Sequence, residues 1–223
     1  VPVEMNAFKA QQHRWAKGSI QTALKLLPRI LRSDDLGWPR KLEAFYHLTA
    51  NVAYVLMVVL ALLMPLATFV RVQQGWYEAL LVDLPIFMGA TFSVCTFYWV
   101  SQREIGRSPW AILTLLPAVL GLGIGVSVNN AKAVLEALWG YDTPFVRTPK
   151  YAIQKVGESW VSKLYLQKST LMTLVEFSLG AWFTYAIGVV LFDPKAGLVS
   201  IPFLALFQFG FLYVALTSLF HAL

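Results

Sequence analysis

The chain has 223 residues, of which 57% are hydrophobic and only 13% charged, where an ordinary soluble domain carries about a quarter charged residues. It also holds apolar runs near the ~20 residues that cross hydrocarbon as a helix. Together these exclude a soluble globular protein and predict an all-α, multi-pass membrane protein. The net charge of +6 is segregated: basic residues crowd the first 41 positions and the stretch 103–168. That is the pattern of cytoplasmic loops under the positive-inside rule, not of a nucleic-acid-binding face.

Taken in order, the chain opens Val-Pro-Val-Glu without an initiator Met, and an upstream portion is expected. Residues 7–32 are interrupted by Lys9, Arg14, Lys17, Lys25, Arg29 and Arg32, so they do not read as a span. Ile20, Leu24, Leu27 and Leu31, with Ala23 and Ile30 beside them, follow helical spacing and predict a basic amphipathic helix lying in the membrane interface, apolar side down. Pro28 is expected to kink or end it, and Arg32–Lys41, with Asp34, Asp35, Gly37 and Pro39, reads as a turn. Spans are expected over 44–70, over 84–100 with Pro85 at its boundary, and over 170–192 and 198–222, the last two joined by Asp193-Pro194-Lys195. Trp76, Tyr77, Trp99, Trp110 and Trp160 stand near these boundaries, as an aromatic belt does. Cys95 sits inside an apolar run and reads as a packing residue.

Segment 109–128 is apolar, but Pro117, Gly121, Gly123 and Gly125 break it up. It fits either a span or an interfacial or re-entrant helix of the kind tolerated where protein buries it. Charge distribution favours the second. With four spans and 101–169 cytoplasmic, only Arg71 and Lys195 of the 18 basic residues face outward. With five, Arg147, Lys150, Lys155, Lys163 and Lys168 would face outward too. The expected organisation is thus an interfacial helix and linker (1–41), two transmembrane helices (42–102), an interfacial or re-entrant helix and a loop (103–169), and two more transmembrane helices (170–223).

The sharpest local signal is Gln11-Gln12-His13-Arg14-Trp15. Gln11, Arg14 and Trp15 stand at i, i+3 and i+4, which is one face of a helix. An amide and a guanidinium can hold a diphosphate through charge-assisted hydrogen bonds, and an indole face can stack against a sugar ring. Spacing alone fits a basic interfacial helix with a Trp anchor equally well. The longer stretch Asn6-Ala7-Phe8-Lys9-Ala10-Gln11-Gln12-His13-Arg14-Trp15-Ala16-Lys17-Gly18-Ser19-Ile20-Gln21-Thr22 resembles the QxxRW region of processive family-2 glycosyltransferases, in particular the cellulose-synthase-like branch with glucomannan and mannan synthases. The resemblance implies that Gln11 and Arg14 contact the donor diphosphate and that Trp15 stacks under the acceptor end of the glycan.

A second stretch, Phe145-Val146-Arg147-Thr148-Pro149-Lys150, follows the helical run Asn130–Trp139 and resembles the gating loop of cellulose synthases, FxVTxK. Phe145, Thr148 and Lys150 match, and Arg147 stands where the family has Val. The alternative reading of the stretch is a basic juxtamembrane turn. Motif helix, two spans, interfacial helix, loop and two spans occur in the family's order over nearly the whole chain. The family's acidic motifs, which bind a divalent metal (Mg or Mn) and supply the catalytic base, are not found here. The resemblance therefore implies a cytoplasmic catalytic domain upstream, and a fragment inactive alone that binds no metal itself.

Glu176 lies inside a span, where an ionisable group costs roughly 2.5–3.5 kcal/mol on insertion scales. It reads either as a channel residue meeting sugar hydroxyls or as a structural partner for another helix. His47, Asn51, Tyr54, Tyr98, Trp182, Tyr185 and Gln208 are further candidates for a glycan path, each also explicable as packing or belt. Asp34-Asp35 reads as a solvated turn and His13 as a packing or headgroup-contacting residue. The resemblance implies a hexosyltransferase of an integral membrane (bacterial inner or Golgi) whose partners are a UDP- or GDP-hexose, a glycan acceptor and the lipid bilayer, with no nucleic acid. It would transfer glucose or mannose to a growing β-glycan and translocate the product. The alternatives are a non-processive glycolipid glycosyltransferase and a non-catalytic anchor or transporter.

Overall fold

A computed structural model of the chain describes residues 2, 4–142, 171–193 and 198–221. These are 89% helical, with no strand among them. Eight α-helices are described: α1 (Met5–Arg32), α2 (Trp38–Thr49), α3 (Ala53–Gln74), α4 (Leu80–Glu104), α5 (Pro109–Gly125), α6 (Ser127–Leu138), α7 (Leu171–Phe192) and α8 (Ile201–Phe220). Five segments are long and apolar enough to cross a membrane: Trp38–Gln74, Tyr77–Glu104, Pro109–Leu138, Leu171–Phe192 and Leu198–Phe220. The chain is an all-α protein of multi-pass membrane type. Four of the five overlap the expected spans. The fifth is the segment that the charge distribution assigned to the interface, and by length and composition it qualifies as well.

The prolines break less than the sequence suggests. Pro28 lies inside α1, which continues to Arg32. Leu27, Pro28 and Leu31 line an apolar groove with Thr49, Val52 and Leu138. Pro85 is likewise internal to α4, five residues past its start rather than at its boundary. Pro117, Gly121 and Gly123 leave α5 unbroken, as neighbouring helices permit in a membrane protein.

The chain divides into two compact units. The first comprises Val1–Val59, Val126–Val175 and Leu216–Leu223. In it α1 lies against α6 and α2, around a core of Ile20, Val134 and Ala137 with Val52 and Val55 packed on it. The stripe expected to face lipid is thereby divided. Ile20 and Ala23 are buried, while Leu24 and Leu31 stay exposed. The start of α1 is held by polar contacts: Met5 N–H donates to His221 Nδ1 (2.9 Å), Asn6 Nδ2 to the Ser218 carbonyl (2.9 Å) and Asn129 Nδ2 to the Lys9 carbonyl (2.8 Å). His221 thus satisfies a first-turn N–H that the N-cap residue Glu4 leaves without a side-chain cap.

The second unit comprises Leu60–Gly125 and Glu176–Ala215. Phe183 stacks on Phe207 and Phe211 at centroid distances of 5.1 and 6.1 Å. Small residues allow backbones to meet, which matters more in lipid than in water because no hydrophobic force drives helices together there. Gly121 and Gly125, one turn apart on α5, both approach Gly210 on α8. A Cβ on Gly121 would stand 2.6 Å from Phe209 Cδ1, and one on Gly125 would overlap the Gly210 carbonyl. These glycines are contact points rather than breaks. Arg71, expected as an outward-facing cation, is only 7% exposed and is paired with Asp83. Tyr77 OH donates to Asp193 (3.0 Å). Cys95 is half-buried on α4.

Candidate functional site

Gln11, Arg14 and Trp15 all lie on α1, in its second and third turns. Gln11 and Arg14 are half-buried, and Trp15 is 62% exposed, a large indole presented outward beside a guanidinium. The opposite side of the same turns supplies the reason that this face is turned out. Ala16, Lys17 and Ile20 are buried, and α1 packs on α6 through Lys17 and Ile20.

The bracing is polar as well as apolar. Glu136 on α6 receives Lys17 Nζ and His13 Nε2, each 3.2 Å from Oε2, and Lys132 Nζ lies 3.8 Å from Oε1. Lys17 Nζ also donates to the Tyr141 carbonyl and stands 5.7 Å from the centre of its ring. That carbonyl is placed by the end of α6. Gly140 takes φ +68°, Gly140 N–H donates to the Ala137 carbonyl (3.2 Å) and Tyr141 N–H to the Glu136 carbonyl (2.9 Å). This is a Schellman closure with glycine at its left-handed position. The sequence reading missed Lys17, Glu136 and Tyr141. One signal was available: His13 and Lys17 are i and i+4 on a helix with no acid of its own, and Glu136 is the only acid on α6.

Burial lowers the pKa of His13, and Lys132, Lys17 and Arg14 lower it further, outweighing the opposite pull of Glu136. His221 is lowered by burial too, against the pull of Glu4. Both shifts favour the neutral ring, the form that the acceptor role of His221 Nδ1 toward Met5 N–H requires. A folded pKa below the ordinary 6.5 means that the unfolded chain binds more protons in this range, so stability is present above pH 6.5 and lost as pH falls through the lowered values. Melting temperature is therefore expected to drop by several degrees between about pH 7.5 and about pH 5. A His13→Gln/His221→Asn variant should lose most of that dependence, and an unchanged slope would show that other groups carry it.

Phe145, Arg147, Thr148 and Lys150 lie outside the described residues, as do Trp160 and Lys195. Glu176 is fully buried on α7. Of the glycan-path candidates, Trp182 and Tyr185 stack at 5.7 Å with nearly parallel rings, and Gln208 Nε2 donates to Thr184 Oγ1 (2.7 Å). His47 is exposed, and Asn51, Tyr54 and Tyr98 are half-buried and apart from that pair in sequence. Asp34 and Asp35 are exposed between α1 and α2. Among the described residues no three of His, Cys, Asp or Glu come together. Compared with known proteins, the chain matches no protein-family model, no curated protein and no solved structure.

Proposed function

We propose that this chain is the membrane region of a family-2 glycosyltransferase, a polysaccharide synthase that transfers glucose or mannose from a nucleotide sugar to a growing β-glycan. The observation that carries the reading is the presentation of Trp15 beside Arg14 and Gln11 on a helix whose opposite face is braced by α6. A site of this kind needs a flat apolar surface for a sugar ring, a fixed cation for a diphosphate, and a backing that keeps both still.

In this reading Gln11 and Arg14 bind the donor diphosphate, and Arg14 offsets the charge that develops on it as the bond from the hexose anomeric carbon to the diphosphate oxygen breaks. Trp15 stacks under the terminal sugar and orients its hydroxyl for in-line attack. Phe145, Arg147, Thr148 and Lys150 cover the donor, Glu176 is a candidate wall residue of the glycan path, and the apolar helices carry the product across the bilayer. A divalent metal, held by a catalytic domain upstream, would stabilise the leaving diphosphate.

The test is incorporation of labelled sugar by the full-length protein in native membranes, from UDP-glucose and from GDP-mannose separately. A high-molecular-mass β-glycan supports the reading. A single sugar on lipid would replace it with a non-processive glycolipid transferase. No incorporation and no binding of either nucleotide sugar would leave an anchor or transporter, in which Arg14 and Lys150 tolerate substitution.

A further inference from the structure

Resting on the glycosyl-transfer reading, we propose that Glu136 is a positioning residue for the donor and acceptor site, fixing the rotation of the helix that carries Gln11, Arg14 and Trp15. Glu136 touches neither sugar nor nucleotide in this arrangement. It acts through His13 and Lys17.

The geometry sets out why one carboxylate can do this. His13 and Lys17 are one turn apart on α1, and both reach the same Glu136 oxygen at 3.2 Å. Arg14, Trp15 and Ala16 lie between them. Apolar packing of Ile20 on Val134 and Ala137 holds the helix near α6 but is non-directional, and would tolerate some roll about the helix axis. Since side chains reach about 5–6 Å from the helix axis, a roll of about 10° already moves the indole of Trp15 by about 1 Å. The Lys17 hydrogen bond and the close approach of the His13 ring, from successive turns to one oxygen, oppose that roll.

Charge makes the arrangement specific. Between Met5 and Arg32 there is no Asp or Glu, and between Ser127 and Leu138 there is one, Glu136. Lys17 is nearly buried, with 7% of its side chain exposed, so its ammonium depends on that carboxylate and on the Tyr141 carbonyl. Through Tyr141 the same ammonium also joins the motif helix to the end of α6. Thus Lys17 ties together three things that must keep register: the Arg14–Trp15 turn, α6, and the chain leaving it.

The experiment uses the full-length synthase in nanodiscs with whichever of UDP-glucose and GDP-mannose it polymerises. Glu136→Gln, Lys17→Met and the double variant Lys17→Met/Glu136→Met are compared with wild type, per mole of folded protein. Misplacement of a positioned group by about 1 Å can cost about 100-fold, and that is the loss in kcat/KM expected for each single variant. The double variant should be no worse than the worse single, because both act through one contact. A structural role alone would lower the yield of folded protein and leave kcat and KM of the remainder unchanged, which would overturn the proposal. If the single variants do not fold, the double variant decides, since replacing both buried charges by apolar groups is tolerated. A stable, inactive double variant supports positioning, and a stable, fully active one overturns it. Arg14→Ala in the same assay separates the two levels. If the wild type polymerises neither nucleotide sugar, the glycosyl-transfer reading itself falls, and if it does but Arg14→Ala is as active as wild type, the donor site does not lie on this helix. If Arg14→Ala is impaired while the Glu136 and Lys17 variants are not, only the positioning role falls.

Discussion

Trp15→Ala is expected to reduce polymer formation at least about 100-fold, with nucleotide-sugar binding and melting temperature close to wild type. The separation follows from where the indole sits. At 62% exposed it contributes little to the packing of α1, whose buried residues lie on the other side of the helix, at Ala16, Lys17 and Ile20. Its removal leaves neither a cavity nor an unpaired buried group, and these are the usual causes of a large stability loss. In the proposed site the indole carries the acceptor and Arg14 the donor diphosphate. Binding of the donor alone, measured by displacement of a labelled nucleotide, should therefore survive, while chain extension should not. Arg14→Ala should show the opposite emphasis, weakening donor binding first. Parallel loss of binding and extension in Trp15→Ala would argue against the division of roles. Loss of both together with a lowered melting temperature would make Trp15 a structural residue.

Gly125→Leu should prevent the second unit from packing, with a destabilisation of at least about 3 kcal/mol, because overpacking of a close contact that cannot relax exceeds the usual cost. The obstacle at Gly125 is backbone: the Gly210 carbonyl occupies the space where a Cβ would go, with Val214 beside it. A flexible side chain could move aside, but a helix backbone moves only if two helices separate. Gly123, two residues earlier on α5, faces open space with nothing within 4 Å of a Cβ. Gly123→Ala is accordingly the control, neutral or stabilising by up to about 1 kcal/mol. Thermal unfolding of the two variants in the same detergent distinguishes them. Equal stability would mean that α5 and α8 do not meet at these glycines.

These glycines also mark the limit of what the amino-acid order discloses. Gly121, Gly123 and Gly125 look alike as helix breakers when read along the chain. What separates the first and third from the second is a partner helix beginning some 80 residues later, and a linear pattern carries no trace of it. The apolar helices themselves were legible, since a membrane-spanning run announces itself by length and composition. So was the placement of Gln11, Arg14 and Trp15 on one helix. Pro28 does not end its helix, which runs on to Arg32, because one lost N–H so near the last turn removes little that the helix needs. Glu136 was passed over for the same reason as the glycine contacts. An acid on α6 and a lysine on α1 are 119 residues apart, and nothing in periodicity links them. Local physics thus placed Gln11, Arg14 and Trp15 on one helix, and only the folded chain identified what stands behind them.

The cap on α1 has a consequence for the order in which the protein can be made. Met5 N–H reaches His221 across 216 residues, and Asn6 reaches Ser218 across 212. A ribosome adding about 5–20 residues per second needs on the order of 10–40 s to supply those partners after Met5 and Asn6 have been joined to the chain. Throughout that interval the turn before Gln11 lacks the contacts that complete it, whatever has already entered the membrane. Of the eight described helices the first in the chain is completed last, and a chain cut short before α8 would leave the ribosome with a charged, aromatic surface but without the contacts that hold its start.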